Sequence, residues 1–224
     1  RLNDRFHLLT SGDQTALPRQ QTLRACIDWS YELLGAPERE LLARLSVFAG
    51  GFTLDAAEAV GAHGDIAVSD VLDLLSRLVD KSLVAMDSDG ERYRLLETVR
   101  QYAQERLAAS GEVDDARTRH LAYYLSLGEA ADPKMLGDEQ EIWHARLDAD
   151  RENLLAAIGN AASLPDTAQQ GLRLVHAIRL WLRTPRRIAW VRHVTEVYLG
   201  IEDPAYLGAW LTDRGIGGED LRGR

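Results

Sequence analysis

The residue types that most often carry chemistry occur in this sequence without the spacing that a reactive site requires. The histidines show no close metal-ligand spacing, and a single cysteine, Cys26, cannot supply a zinc site. The sequence also lacks the pattern G-x-x-x-x-G-K-[ST], so it contains no P-loop that could hold a nucleoside triphosphate. We therefore expect no catalytic residue, no metal site and no cofactor in this chain.

Basic side chains could instead contact nucleic-acid phosphates, because phosphate contact requires local positive charge. Residues 51–80 contain six carboxylates and one arginine, whereas residues 167–195 contain six arginines. The acidic stretch argues against a nucleic-acid surface there, and the basic stretch leaves one open elsewhere. The candidate contacts to DNA phosphates are Arg77, Lys81, Arg92, Arg94, Arg186 and Arg187.

The elements that would position these basic side chains begin with two amphipathic helices within residues 17–51, joined at Gly35-Ala36-Pro37. The apolar faces are Leu23, Ile27, Tyr31 and Leu34 on the first helix and Leu41, Leu42, Leu45 and Phe48 on the second. Thr53 is suited to cap a short helix over residues 54–60. Ser69 is suited to cap the next helix. The apolar stripe expected on that next helix is Val71, Leu72, Leu75, Leu78 and Val79.

The hydrophobic pattern then changes from helical to alternating. Residues 83–86 are typical of a short strand, residues 87–90 of a hairpin turn and residues 92–95 of the return strand. Helices followed by a β-hairpin are the element order of a winged helix-turn-helix. The sequence therefore predicts a mainly α protein with one β-hairpin, whose winged-helix domain covers residues 17–110.

Helical patterns continue through most of the sequence after the hairpin. The expected helices cover residues 97–110, 113–131, 138–162, 166–183 and 188–199. Helix pairs of this length, joined by short turns, indicate a tetratricopeptide-like bundle over residues 111–202. Residues 1–16 are expected to be a linker, and the glycine-rich residues 203–224 a flexible tail.

The cysteine and the aromatic residues are expected to be packing residues. Cys26 lies in mid-helix between apolar neighbours, so we expect a small buried side chain. The aromatic residues expected in the core are Trp29, Tyr31, Trp143, Trp181 and Trp190. One cysteine fits a reducing, cytoplasmic setting, and no apolar run approaches the length of a membrane helix. The missing initiator methionine suggests a segment of a longer protein.

The predicted winged helix has two readings. In a DNA-binding winged helix, the third helix enters the major groove and the wing touches phosphates. Here that helix carries three aspartates against Arg77 and Lys81, and the wing sets Arg92 and Arg94 against three further acids. Because phosphates repel carboxylates, we favour a protein-packing module. Direct DNA binding is the alternative, and an enzyme with a hidden carboxylate pair is a distant third.

Three blocks of the sequence resemble one bacterial family. They are LPRQQTLRACIDWSYELLGAPERELLARLSVFAGGFTLDAAEAV, LLSRLVDKSLV and YRLLETVRQYAQERL. Over about residues 1–163, the chain is similar to the winged-helix region of STAND signalling ATPases. These are NB-ARC-like proteins found in large LuxR-type and antibiotic-pathway transcriptional regulators. The resemblance implies an upstream P-loop ATPase domain that binds ATP or ADP, with residues 1–16 as the linker from it, and a helical sensor for an inducer or partner.

By the same resemblance, Leu95-Leu96-Glu97 takes the place of the Met-His-Asp motif, whose histidine approaches the ADP phosphate in NB-ARC proteins. Leu96 stands at the histidine position and cannot donate a hydrogen bond. Glu97 could be an interdomain latch or, more simply, a capping acid. The interdomain switch candidates are Leu96, Glu97 and Arg100. We expect the chain to couple nucleotide state to the helical sensor, with its own ATPase domain and regulatory proteins as partners and no membrane.

Overall fold

A computed structural model describes residues 18–161, 163 and 167–182 of the chain. The helices are α1 (Pro18–Glu32), α2 (Ala36–Leu45), α3 (Leu54–Gly61), α4 (Val68–Asp80), α5 (Glu97–Ser110), α6 (Val113–Ala131), α7 (Gln140–Ala149), α8 (Arg151–Ala161), α9 (Ala168–Ala177) and α10 (Arg179–Leu182). A hairpin of β1 (Val84–Met86) and β2 (Tyr93–Leu95) separates α4 from α5, and a 3-10 turn (Asp132–Lys134) follows α6. The predicted linker at 1–16, the helix at 188–199 and the tail at 203–224 lie outside the described residues.

Helices α2, α3 and α4 and the hairpin form the winged helix-turn-helix that the sequence predicts. The strands are antiparallel, with Ala85 opposite Arg94. Phe52 adds one more residue to this sheet, because its N–H donates to the Tyr93 carbonyl oxygen at 2.8 Å and its carbonyl oxygen accepts from the Tyr93 N–H at 2.8 Å. The predicted fold class, mainly α with one β-hairpin, is confirmed.

The helix starts show which local predictions hold. The Thr53 hydroxyl accepts from the Ala56 N–H at the start of α3, as predicted. At the start of α2 the Glu38 carboxylate accepts from the Gly35 N–H at 2.6 Å. The prediction that Ser69 caps α4 is wrong. That helix begins after Ala67, and the Ser69 hydroxyl donates to the Asp70 carboxylate instead.

One cluster of buried apolar side chains extends from Ile27 in α1 to Leu182 in α10. It joins residues of the winged helix to residues of the later helices, so the core continues past residue 111. The stripe predicted on α4 is partly wrong, because Leu72 is 45% exposed and Leu74 is buried in its place. A shift of two positions moves a side chain to the opposite half of a helix, which the sequence pattern did not resolve.

Two helices predicted as continuous are interrupted. The helix expected over 138–162 ends at Ala149 and resumes at Arg151, and the helix expected over 166–183 is broken at Ile178. Asp150 at the first break has a buried side chain that is hydrogen-bonded outside its own helix. Aspartate is a poor residue for a helix interior because its carboxylate competes for such bonds.

Two expectations about buried side chains in α1 are wrong. Cys26 and Trp29 are exposed, Trp29 by 65%. Neither shares the side of α1 on which Ile27 faces the core. Trp181 is fully buried as expected, Tyr31 and Trp143 are half-buried, and Trp190 lies outside the described residues.

Candidate functional site

Helix α4 has the position of the helix that enters the major groove in DNA-binding winged helices. Its exposed side carries three aspartates, the apolar side chains Val68 and Leu72, and one base, Arg77. Those aspartates are Asp70, Asp73 and Asp80. Within the part of the chain that the structure describes, no cationic side chain forms an ion pair with any of the three. This surface is therefore acidic and partly apolar.

Lys81, the second basic residue predicted to contact DNA here, forms an ion pair with Glu38. Its Nζ donates to both carboxylate oxygens of Glu38, at 2.7 and 2.8 Å. Burial by itself would raise the pKa of Glu38, but the bonds from Lys81 and from the Gly35 N–H outweigh it and hold this pKa below its usual value. Lys81 thus ties the end of α4 to the start of α2 and does not add positive charge to the groove-facing side.

The two wing arginines behave differently. Arg94 is exposed, and its nearest acid is Asp87, with Nε and Oδ1 3.7 Å apart. Arg92 points inward, towards the helices that follow the wing. Of the two wing arginines, only Arg94 is therefore placed to reach a phosphate, and Arg186 and Arg187 lie outside the described residues.

Arg92 forms the centre of a polar junction between the wing and the break of α7 and α8. Its Nη2 donates to Asp150 Oδ1 at 2.6 Å, to the Gly51 carbonyl oxygen at 2.7 Å and to the Ala149 carbonyl oxygen at 3.2 Å. The Tyr124 hydroxyl donates to the same carboxylate oxygen at 3.3 Å. Burial would lower the pKa of Arg92, but Asp150 more than compensates, so the pKa is raised. Burial also raises the pKa of Tyr124. The guanidinium and the phenol both keep their protons at neutral pH.

Asn153 of α8 holds the turn that precedes α3. Its Oδ1 accepts from the Ala49 N–H at 2.8 Å, and its Nδ2 donates to the Gly51 carbonyl oxygen at 2.8 Å. Asn153 is fully buried, so these bonds replace water as the partners of the turn. A side chain of the later helices thus satisfies the backbone of the winged helix.

His120 of α6 lies within the aromatic core at this junction. Its ring centroid is 5.2 Å from that of Phe48 and 4.7 Å from that of Tyr124. Complete burial lowers the pKa of His120 to about 4, and the Asn153 side chain opposes this only in part. The imidazole is therefore neutral at pH 7 and acts as a packing residue.

A second polar junction joins α2 and α3 to the start of α6. Arg44 donates through Nε to Glu112 Oε2 at 3.0 Å and through Nη2 to Glu112 Oε1 at 3.1 Å. Its Nη1 donates to the carbonyl oxygens of Gly61, at 3.0 Å, and His63, at 2.9 Å. The Arg44 hydrogen bond lowers the pKa of Glu112. Because this ion pair is bidentate and Arg44 is buried, it fixes the orientation of α2 relative to the start of α6 as well as neutralising the two charges.

The three switch candidates lie together at the exposed start of α5. Leu96 is 49% exposed at the N-cap position, where its side chain makes no cap bond. The Glu97 carboxylate accepts from Arg100 at 2.9 Å and from Gln101 at 2.5 Å, and the Arg100 bond lowers the pKa of Glu97. These bonds are local to α5, so a switch role for Leu96, Glu97 and Arg100 stays a prediction.

The acceptors of the first junction, Asp150 and Asn153, were not identified from the sequence. Asp150 and Asn153 sit in the charge-rich run DADREN, which resembles a solvated helix face, and no spacing relates them to Arg92. Among the described residues, no group of three or more histidine, cysteine or acidic side chains could hold a metal ion. None of the helices in that part of the chain is long and apolar enough to cross a membrane.

Comparison with known proteins identifies the segment that contains α2 to α4 and the hairpin. Residues 34–108 match the family described as winged helix-turn-helix domain. This segment is a winged helix-turn-helix domain. It contains α2 to α4 and the wing, together with most of α5. The chain therefore carries a fold known from DNA-binding and protein-binding modules.

The relatives are longer proteins. A "Putative HTH-type transcriptional regulator" of Mycobacterium tuberculosis (strain ATCC 25618 / H37Rv) is 38% identical over 239 residues, which cover 98% of this chain and 27% of the relative. A protein of the same description from Mycobacterium bovis gives the same values. An "Uncharacterized protein" of Mycobacterium tuberculosis is 48% identical over 122 residues, covering 53% of this chain and 31% of the relative. No solved structure matches the chain. The chain thus spans 27% to 31% of the length of these relatives.

Proposed function

We propose that this chain is the winged-helix and helical segment of a transcriptional regulator. The winged helix-turn-helix over residues 34–108 carries the proposal, and the description of the relatives as HTH-type regulators supports it. The proposal gives this segment no catalytic activity and no cofactor of its own. Because a transcriptional regulator acts beside the chromosome, it also implies a cytoplasmic location.

The chemistry of the exposed α4 surface favours a protein partner over DNA. Binding to DNA depends on cations that replace the counterions of the phosphates. The exposed side of α4 offers Arg77 against three aspartates that form no ion pair with any described residue, and the Lys81 ammonium is bonded to Glu38. Val68 and Leu72 provide apolar area of the kind that protein interfaces bury. The segment therefore works as a regulatory interaction module in this proposal.

The finer proposal is that the module responds to nucleotide bound by an upstream P-loop ATPase domain. It is supported by the resemblance to STAND ATPases, and the relatives extend well beyond the region that this chain matches. ATP or ADP would act through a shift between arrangements in which the winged helix is docked or released. The bound nucleotide must contact the two arrangements differently for such a shift to occur.

Hydrogen exchange in the full-length protein tests this function. The exchange of α4 amides is measured with ADP, with a non-hydrolysable ATP analogue and without nucleotide. We expect protection around Leu72 to differ between the two nucleotides, while this chain alone shows no nucleotide effect. Equal exchange rates of the α4 amides in all three conditions would show that bound nucleotide is not coupled to the winged helix.

The second candidate function is direct DNA binding by the winged helix. The fold match and the names of the relatives favour it, and Arg94 is an exposed base on the wing. Arg94→Ala would then weaken binding uniformly across sequences and reduce the salt slope by about one. Glu91→Ala, which removes an exposed acid from the same wing, serves as the control and would leave affinity equal or higher.

A further inference from the structure

Buried aromatic side chains join the winged helix to the helical region, which we define as α6 to α10. Phe48, in the turn after α2, stacks on Phe52 with ring centroids 4.4 Å apart. It also meets Tyr124 of α6 edge-on, with centroids 6.5 Å apart. All three side chains are fully buried. Separation of the winged helix from the helical region would expose this aromatic cluster to water. The free energy of exposing that apolar surface strongly opposes the separation.

Two polar junctions also join the winged helix to the helical region. Arg92 and Asp150, whose side chains are 19% and 5% exposed, connect the wing to the helical region. Arg44 and Glu112 connect α2 to the start of α6. Each guanidinium also donates to backbone carbonyl oxygens, so each junction fixes the path of the chain as well as two charges. Both would have to open before the units could separate.

The Asn153 bonds add a third constraint. They link α8 to the turn at Ala49 and Gly51, the point where the winged helix leaves α2 and approaches α3. Boundaries that permit domain motion are exposed and crossed by few contacts. The connection at Gly111, between α5 and α6, is exposed, but the surfaces on its two sides are buried against each other. The connection at Gly111 therefore does not act as a flexible linker between the two units.

We propose that the winged helix and the helical region switch as one rigid body, locked by Arg92, Asp150 and Asn153. This inference rests on the regulatory function proposed above and deepens it. Any nucleotide-driven motion then moves the winged helix and the helical region together relative to the rest of the protein.

Native-state hydrogen exchange on this chain alone tests the lock. Leu154→Ala removes a fully buried side chain from α8, far along the chain from α2 and α3. A rigid body opens as one cooperative unit, so the amides of α2 and α3 should exchange faster by the same factor as those of α6, about 30-fold or more. Arg151→Ala changes an exposed residue of α8 and is expected to leave all these rates unchanged.

Acceleration confined to α6, α8 and α9, with α2 and α3 unchanged, would overturn the proposal. If Leu154→Ala does not fold, Ile158→Val in the same helix applies the same test with an expected factor of about five in both units. The readout needs neither nucleotide nor DNA. A failed lock is therefore distinguished from a failed regulatory function, which is measured in the full-length protein.

Discussion

Replacement of Asp150 by alanine should destabilise the chain far more than the loss of an ordinary surface acid. Asp150 is 5% exposed and accepts from both Arg92 and Tyr124. Breaking a fully buried ion pair costs about 3 to 5 kcal/mol. Arg92 is 19% exposed and keeps two carbonyl acceptors, so we reduce the expected loss to about 2 to 3 kcal/mol. This corresponds to a fall in Tm of about 5 to 10 °C.

Urea unfolding followed by circular dichroism measures this loss. Asp87→Ala is the matched control, because Asp87 faces Arg94 on the exposed part of the wing and should cost no more than about 0.5 kcal/mol. A double-mutant cycle with Arg92→Ala isolates the coupling between Arg92 and Asp150. A cost for Asp150→Ala equal to that of the control, or a coupling free energy near zero, would refute the reasoning.

Three further perturbations have signs fixed by the structure. The pKa of His120 falls from 6.5 to about 4 on folding, so below pH 6.5 the unfolded state binds the proton first. Chemical unfolding at several pH values should then show stability falling by up to about 1.4 kcal/mol per pH unit towards pH 4, and His120→Phe should flatten this slope. Gly61→Ala should cost about 1 to 3 kcal/mol in urea unfolding, because the added methyl would lie 2.3 Å from Leu41. The added methyl of Gly159→Ala in α8 has no neighbour within 4 Å among the described residues, so this change should stabilise by about 0.5 to 1 kcal/mol. Glu97→Ala should change thermal stability by less than about 0.5 kcal/mol, since its ion pair is exposed, while altering regulation in the full-length protein.

Local patterns predicted the order of elements well. The strands, the turn between them, the Thr53 cap and the end of α5 at Gly111 depend on residues close together in the sequence. Gly111 has a positive φ of 79°, a conformation that favours glycine at a helix end. Periodicity also placed Leu41, Leu42, Leu45 and Phe48 in the core.

The candidate site depended on contacts that sequence patterns do not encode. Lys81 and Arg92 looked like free bases, but each finds a carboxylate more than 40 positions away. Cys26 and Trp29 were expected in the core because of their residue types, but both are exposed. The type of a side chain does not determine which side of α1 it occupies. Asp150 interrupts a predicted helix and accepts from Arg92, a partner far along the chain that local propensity does not indicate.

We propose above that this winged helix presents an acidic protein-docking surface rather than a DNA-reading one. The most direct test is fluorescence anisotropy of a labelled random duplex, titrated with the purified chain over a series of salt concentrations. The proposal predicts no binding at micromolar protein even at about 50 mM salt, where phosphate attraction is strong. Micromolar binding that weakens steeply as salt increases would contradict the claim and make direct DNA binding the function of the chain.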